Sequence, residues 1–344
     1  MSPSRKRWRI LVLMHESLVP PDSIDGLTPK EIAPFKTEFD VITTLREMGH
    51  EAHPLGVSTD LGVIRSTIET FEPDITFNLL EEFHGVSVYD HHVVSYLELL
   101  KKRYTGCNPR GLMLAHDKAL SKKVCAFHRI PVPDFMAFPI GRKIREFRRI
   151  PYPLIVKSLT LEGSEGIAKA SLVQDFDQLK ERVDFVHRQL GTDAIAERFI
   201  PGRELYVGIL GNQRLQTLPI WELHMDKLPE GEPKIATAKL KWDEEYQKKL
   251  GVRTAAAELD DATANRILKL CKRAYRVLNL TGYARMDLRL TDDGELALLE
   301  ANPNPQLSYG EDFAESAEAA GINYDALLLK ILRLGFSYRA LWQA

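Results

Sequence analysis

The stretch "GYARMDLRLTDDGELALLEANPNP", residues Gly282–Pro305, sets two apolar runs around a polar turn, with charged residues interrupting both runs at even spacing. Side chains alternate between the faces of a strand. Arg285, Asp287 and Arg289 therefore share one face of the first run, and Ala284, Met286, Leu288 and Leu290 share the other. Leu298, Glu300 and Asn302 share a face of the second run. A four-residue turn, Thr291–Gly294, would pair Leu290 with Glu295. Arg285 then sits opposite Glu300, Asp287 sits opposite Leu298, and the polar groups collect on one face. A loop one residue longer or shorter would split them between faces. Two carboxylates and an amide oxygen placed so closely suit Mg²⁺, which combines a few carboxylates with waters and substrate phosphates. The ordinary alternative is a surface hairpin whose Arg–Glu pair contributes about 0–1 kcal/mol. The "NPNP" that follows halts the second run and leaves Asn302 at a strand end.

A metal-bound phosphate needs cations and a covering loop. Lys157 closes the apolar run "PLIV", and "EGSEG" (Glu162–Gly166) follows five residues later. Glycines flanking Ser164 let backbone N–H groups approach a phosphate. An isolated loop of this kind is more often a plain turn, and Lys118, at the start of a Lys-rich helix, is weaker still alone. "AERFIPGRELYVG" (Ala196–Gly208) carries two strand-like runs broken at Pro201-Gly202. Its backbone could read a base edge, with Glu197 or Glu204 taking ribose hydroxyls; an ordinary β-turn-β with exposed glutamates fits equally well.

Elsewhere the chain alternates strand and helix patterns. "RILVLM" (Arg9–Met14) and "DITFNLL" (Asp74–Leu80) are continuous apolar runs, as expected of strands buried on both faces. Phe35, Val41, Ile42, Leu45 and Met48 recur at helical spacing before Gly49. "HHVVSYLELLKK" predicts another helix. This βαβ rhythm predicts a doubly wound parallel sheet over 1–113. No GxGxxG follows the first strand, which removes support for a dinucleotide fold. Residues 114–205 and 206–344 read as two further α+β units. "PYPLIVKSLT" predicts a strand, "LEGSEGIAKA" a turn and return strand, and "DFDQLKERVDFVHRQL" a helix.

The 344 residues, 44% hydrophobic, suffice for two or three domains. A net charge of −2 gives no reason to expect a nucleic-acid partner. "ILVLM" is too short for a membrane span, and three scattered cysteines argue for a reducing, cytoplasmic setting rather than a disulfide framework or structural zinc.

Six segments in order, "HDKALSKKVCAFHRIPVPDF", "IVKSLTLEGSEGI", "AERFIPGRELYVGILG", "KLKWD", "GYARMDLRL" and "LLEANPNP", resemble the ATP-grasp superfamily, most closely its D-alanine–D-alanine ligase branch. The resemblance covers about residues 80–335. It implies an ATP-grasp fold, α/β and α+β, with ATP held between the second and third units. Two Mg²⁺ ions, with Mn²⁺ as an alternative, would sit on Asp287, Glu300 and Asn302. Lys118 and Lys157 would contact phosphates. Glu197 would reach the adenine amino group, Phe199 and Ile200 would line the base pocket, and Glu204 would take the ribose. Lys241, with Lys239 competing, would reach the γ-phosphate, and Arg285 would stabilise the tetrahedral intermediate. Small-molecule carboxylate and amine substrates and a homodimer are implied as well.

Three departures stand out. The family's Gly-rich turn after the first strand is here "MHESLVPPDSIDG", which keeps Glu16, the ammonium-binding candidate, but not the glycines. The glycine expected after the metal-binding Asn is replaced by Gln306. The covering loop has one serine, Ser164, followed by Glu165. Nucleotide residues are kept and substrate residues differ, so the expectation is an ATP-dependent carboxylate–amine ligase with a substrate other than two D-alanines. The competing readings are a regulatory nucleotide-binding protein on the same scaffold and an ATP-grasp kinase of a small molecule.

Overall fold

The computed structural model describes residues 6–146, 149–229 and 231–343. Three sheets organise them. The first is parallel, in the order β2 (Glu51–Val57), β1 (Arg9–His15), β3 (Ile75–Asn78). Residues Ile10–Met14 are fully buried because β1 is covered on both faces: Leu11 and Leu13 enter one core, and Ile10, Val12 and Met14 enter another. The helices Lys36–Glu47 and Asp90–Leu99 stand where the apolar periodicity predicts them. β2 lies in a segment to which the sequence assigned no element. It is an edge strand, where Pro54 costs no interior ladder bond. "RYTGC" contributes a single parallel bridge, Tyr104 to Thr76.

The second sheet is antiparallel, in the order β4 (Phe135–Phe138), β7 (Ala194–Arg198), β5 (Leu154–Ser158), β6 (Leu172–Val173). The return strand predicted within "LEGSEGIAKA" does not form there. Residues 161–167 are an irregular loop, and the return comes later, at β6. The loop turns through left-handed backbone at Gly163, Ser164 and Gly166, which no strand can follow.

The third sheet runs β10 (Val252–Ala256), β9 (Gln216–Met225), β8 (Arg203–Leu210), β11 (Tyr283–Leu290), β12 (Leu296–Asn302). The two strands read in "AERFIPGRELYVG" thus belong to different sheets. Gly202, at φ 112°, makes the change of sheet, and a Cβ there would lie 2.2 Å from the Leu290 carbonyl oxygen. β8 belongs whole to the third sheet and runs through the 205/206 division drawn from sequence. The long helix Asp261–Val277 packs Ile267, Leu270, Cys271 and Ala274 under this sheet.

Candidate active site

The hairpin β11–β12 forms, but not in the predicted register. Leu290 pairs with Leu296, so the loop holds one residue more than expected, and Arg289 pairs with Ala297. On its own this change would turn Glu300 and Asn302 to the face opposite Asp287. A β-bulge between Leu298 and Glu300 inserts Leu299 and resets the alternation. Asp287 then faces Glu300 directly, and Arg285 faces Asn302, in place of the predicted Arg285–Glu300 opposition. The four polar groups end on one face through two offsets that cancel. The bulge also frees the Leu299 carbonyl, which accepts from Lys122 Nζ at 2.5 Å.

This face forms one wall of an open cleft between the second and third sheets. Of the predicted site residues, Lys118, Lys157, Ser164, Glu197, Phe199, Ile200, Glu204, Lys241, Arg285, Asp287 and Glu300 all line it. Lys239 instead pairs with Asp243 and lies over the Tyr246 ring, so Lys241 is the cation that faces the cleft. Asn302 stands at the strand end with its Oδ1 accepting the Asn304 N–H at 3.0 Å. Glu16 is not brought to the cleft. It is exposed in a 3₁₀ turn, Glu16–Leu18, whose backbone packs on Gly56 of β2, where a Cβ would lie 2.8 Å from Glu16 Cα. The prolines that replace the glycines after it carry the chain onward through residues 19–28 without helix or strand.

Electrostatics tie the cleft floor together. Glu197, only 1% exposed, lies 3.0 Å from Lys122 Nζ and 3.1 Å from Lys157 Nζ. Burial works against its charge, but the two ammonium groups prevail and hold its pKa below the usual value. Its carboxylate serves these lysines, whereas sequence reasoning aimed it at an adenine. Lys122 was missed, although it follows Lys118 by one helical turn and so shares its face. Lys118 donates to the Leu161 carbonyl at 2.6 Å and stands 3.9 Å from Glu300. Glu300 is desolvated, yet Lys118, Lys157, Lys122 and Lys241 together bring its pKa down to about 2. Asp287 goes the other way. Burial, with Glu300 and Glu204 nearby, raises its pKa in spite of a bidentate pair with Arg285 at 2.7 and 2.8 Å. Arg285 lies 4.8 Å over the Tyr206 ring.

Such a donor set fits a divalent cation. No group of three or more His, Cys, Asp or Glu ligands occurs among the described residues. Two facing carboxylates and a strand-end amide instead suit an ion that completes its shell with phosphate and water. Burial, with the nearby carboxylates of Glu300 and Glu204, raises Asp287, and a cation between Asp287 and Glu300 would offset both. Opposite them, the loop 161–167 is anchored at both ends. Glu162 reaches Nδ1 of buried His116 at 3.2 Å, and Arg182 donates to the Gly166 carbonyl. Ser164 faces the cleft, and Glu165 stays exposed at its rim. Trp221 and Glu222 of β9 do not line the cleft: Trp221 is in an apolar cluster with Leu223 and Met225, and Glu222 pairs with Arg203 at 2.9 Å.

The chain is similar to known proteins. Residues 126–333 match the family described as "D-ala D-ala ligase C-terminus". An uncharacterised protein, y4sG, of Sinorhizobium fredii is 31% identical over 301 residues, 85% of each chain. The D-alanine–D-alanine ligase of Desulforudis audaxviator is 28% identical over 314 residues, covering 90% of this chain and 95% of that one. Among solved structures, the D-alanine–D-alanine ligase of Bacillus anthracis complexed with ATP superposes with a TM-score of 0.73 at 23% identity, over 96% of this chain and 97% of that one. The VanG D-Ala:D-Ser ligase of Enterococcus faecalis gives 0.69 at 17% identity, over 96% and 100%. With cleft, hairpin and lysines in this order, the chain belongs to the D-alanine–D-alanine ligase family and is an ATP-dependent, ADP-forming C–N ligase of the ATP-grasp fold.

Proposed function

We propose that the protein joins a small-molecule carboxylate to an amine through an acyl phosphate, and that the pair is not two D-alanines. The observation that carries this reading is the convergence of Lys118, Lys157, Lys241, Arg285, Asp287 and Glu300 on one cleft. In it the base lies against Phe199 and Ile200, the ribose at Glu204, and the phosphates at the lysines. Mg²⁺ held by Asp287, Glu300 and Asn302, as two ions or with Mn²⁺ in its place, supplies charge neutralisation along the phosphates.

The chain's own groups do the remaining work. Lys241 approaches the γ-phosphate from the segment above the cleft, and Lys118 and Lys157 from below. These fixed cations favour the charge that develops as the carboxylate attacks phosphorus. The loop at Ser164 covers the acyl phosphate and keeps water from it. When the amine attacks the acyl carbon, its carbonyl oxygen gains charge and inorganic phosphate leaves. Arg285 meets that oxygen with a rigid fork that stays charged. The Asp287 pair keeps the fork in place beforehand.

Support for an altered substrate comes from the first sheet. Glu16 lies outside the cleft, the glycine turn is lost, and Gln306 stands where the family has glycine. The same fold carries a D-Ala:D-Ser ligase in Enterococcus, so it accommodates a change of acceptor. A coupled ADP-release assay over amino acids and dipeptides, with mass spectrometry of the products, tests the proposal. Free phosphate together with a new amide is the expected outcome. Full turnover with D-alanine alone would refute the altered substrate. A phosphorylated product without ligation would mark a kinase, and ATP binding without turnover a regulatory protein.

A further inference from the structure

One charged residue in the cleft has no role in the scheme above. Arg289 is the third member of the alternating set Arg285, Asp287, Arg289 on β11 and is 5% exposed. Its backbone neighbours Leu288 and Leu290 fill the core, so the strand itself does not require a cation at this position. Its cross-strand partner on β8 is Glu204, and NH2 donates to Glu204 Oε2 at 2.6 Å. NH2 also donates to the Lys234 carbonyl at 2.7 Å, and NH1 to the Gly202 carbonyl at 2.9 Å. The guanidinium lies 5.9 Å over the Phe199 ring. One side chain thus ties together the linker after the base-binding strand, the ribose carboxylate, and the segment that leads to Lys241.

The other oxygen of Glu204 is also fixed. Oε1 accepts from the Tyr206 hydroxyl at 2.9 Å. A carboxylate offers about four acceptor positions, two on each oxygen. Arg289 fills one on Oε2 and Tyr206 fills one on Oε1. One position on each oxygen remains, and the two bonds, one to each oxygen, hold the carboxylate in its orientation. Two adjacent acceptors in a fixed plane match two hydroxyls on neighbouring carbons.

We propose that Arg289 is a positioning residue that, with Tyr206, locks the Glu204 carboxylate so that it selects a nucleotide with a vicinal ribose diol. This rests on the functional reading above and concerns the nucleotide alone. A buried ion pair contributes little stability beyond what an apolar residue of similar size supplies. Selectivity is therefore the readout that separates this role from a structural one.

The test is equilibrium binding of ATP, 2′-deoxy-ATP and 3′-deoxy-ATP to the full chain with saturating Mg²⁺, by calorimetry and without a second substrate. A hydrogen bond to a charged group gives the wild type about a ten- to hundredfold preference for ATP over either deoxy nucleotide. Arg289→Met is expected to weaken ATP about tenfold while leaving the deoxy nucleotides nearly unchanged, so that discrimination falls about tenfold. Arg289→Lys restores part of it, and Tyr206→Phe shows the same loss to a smaller degree. These two variants carry the test if Arg289→Met does not fold. Equal weakening of all three nucleotides in the variants would reduce Arg289 to a structural brace and overturn the inference. Undiminished discrimination would do the same. A wild type that binds all three equally sinks this inference alone, whereas one that binds none sinks the functional reading with it.

Discussion

Two acidic regions of this molecule carry opposite electrostatics. In the cleft Glu197 and Glu300 are desolvated, yet each has lysines around it that hold its pKa below the ordinary value. On the first domain Glu38 lies beside Asp40, and Glu81 has the carboxylates of Glu162 and Glu38 near it with His116 as its counter-charge. Burial, reinforced by Asp40, pushes Glu38 up to about 7, and crowding by the surrounding chain, with Glu162 and Glu38 close by, raises the solvent-accessible Glu81 as well. In the cleft the lysines thus offset Glu197 and Glu300, while Asp287 keeps a raised pKa that a cation would lower. The first-domain region is acidic and unbalanced, so a cation such as a substrate ammonium would complete it.

The sharpest way to break this contrast is at the hairpin. Asp287→Asn or Glu300→Gln should lower the rate of ADP release by about a hundred- to a thousandfold, because each removes a carboxylate proposed to hold the cation that offsets phosphate charge. Retained activity in both variants would make the hairpin a surface feature. Arg285→Met should lower kcat by about a hundredfold with a smaller change in the KM for ATP, since its work lies at the acyl transfer. Lys122→Met tests the balance directly. It strips one of two partners from the buried Glu197 and should cost about 3–5 kcal/mol of stability in a denaturant titration. An unchanged midpoint would show that Lys157 alone suffices.

The pH dependences should run in opposite directions. Glu300 titrates lower in the folded than in the unfolded chain. Its stabilisation is present above the ordinary value of 4.5 and is lost as pH falls toward 2, so Glu300→Gln should flatten the acid limb of stability against pH. Glu38 and Glu81 titrate higher when folded. Their contribution is complete at low pH and is lost as pH rises through about 7 and 8. Glu81→Gln should flatten that alkaline limb, an effect smaller than the others because solvent reaches the side chain. The same slope in wild type and variant would remove the first-domain half of the contrast.

The legibility of the chain followed the same division. The motifs proposed to hold phosphate sit at strand ends and helix starts, where residue type and local spacing say most, and Lys118, Lys157, Lys241, Asp287 and Glu300 line one cleft. The bulge at Leu299 has no local sign: Leu298 and Leu299 are alike, and only the cross-strand partner distinguishes the inserted residue. Arg289 could be placed on its face by alternation, but its partners come from Gly202 and Lys234, far away in the chain. β2 was hidden by Pro54 and Gly56, which an edge strand tolerates and which the Glu16 turn requires at the glycine. The substrate stayed unreadable because the residues near Glu16 and Glu81 depend on how loops fold back on the first sheet.

The central claim is that Asp287, Glu300 and Asn302 hold a divalent cation against a nucleotide triphosphate. Calorimetric titration of ATP with and without Mg²⁺, in the wild type and in an Asp287→Asn/Glu300→Gln double variant, tests it most directly. Wild-type binding at least about tenfold tighter with Mg²⁺, and a double variant indifferent to the ion, is the predicted result. Equal wild-type affinity with and without the ion would contradict it.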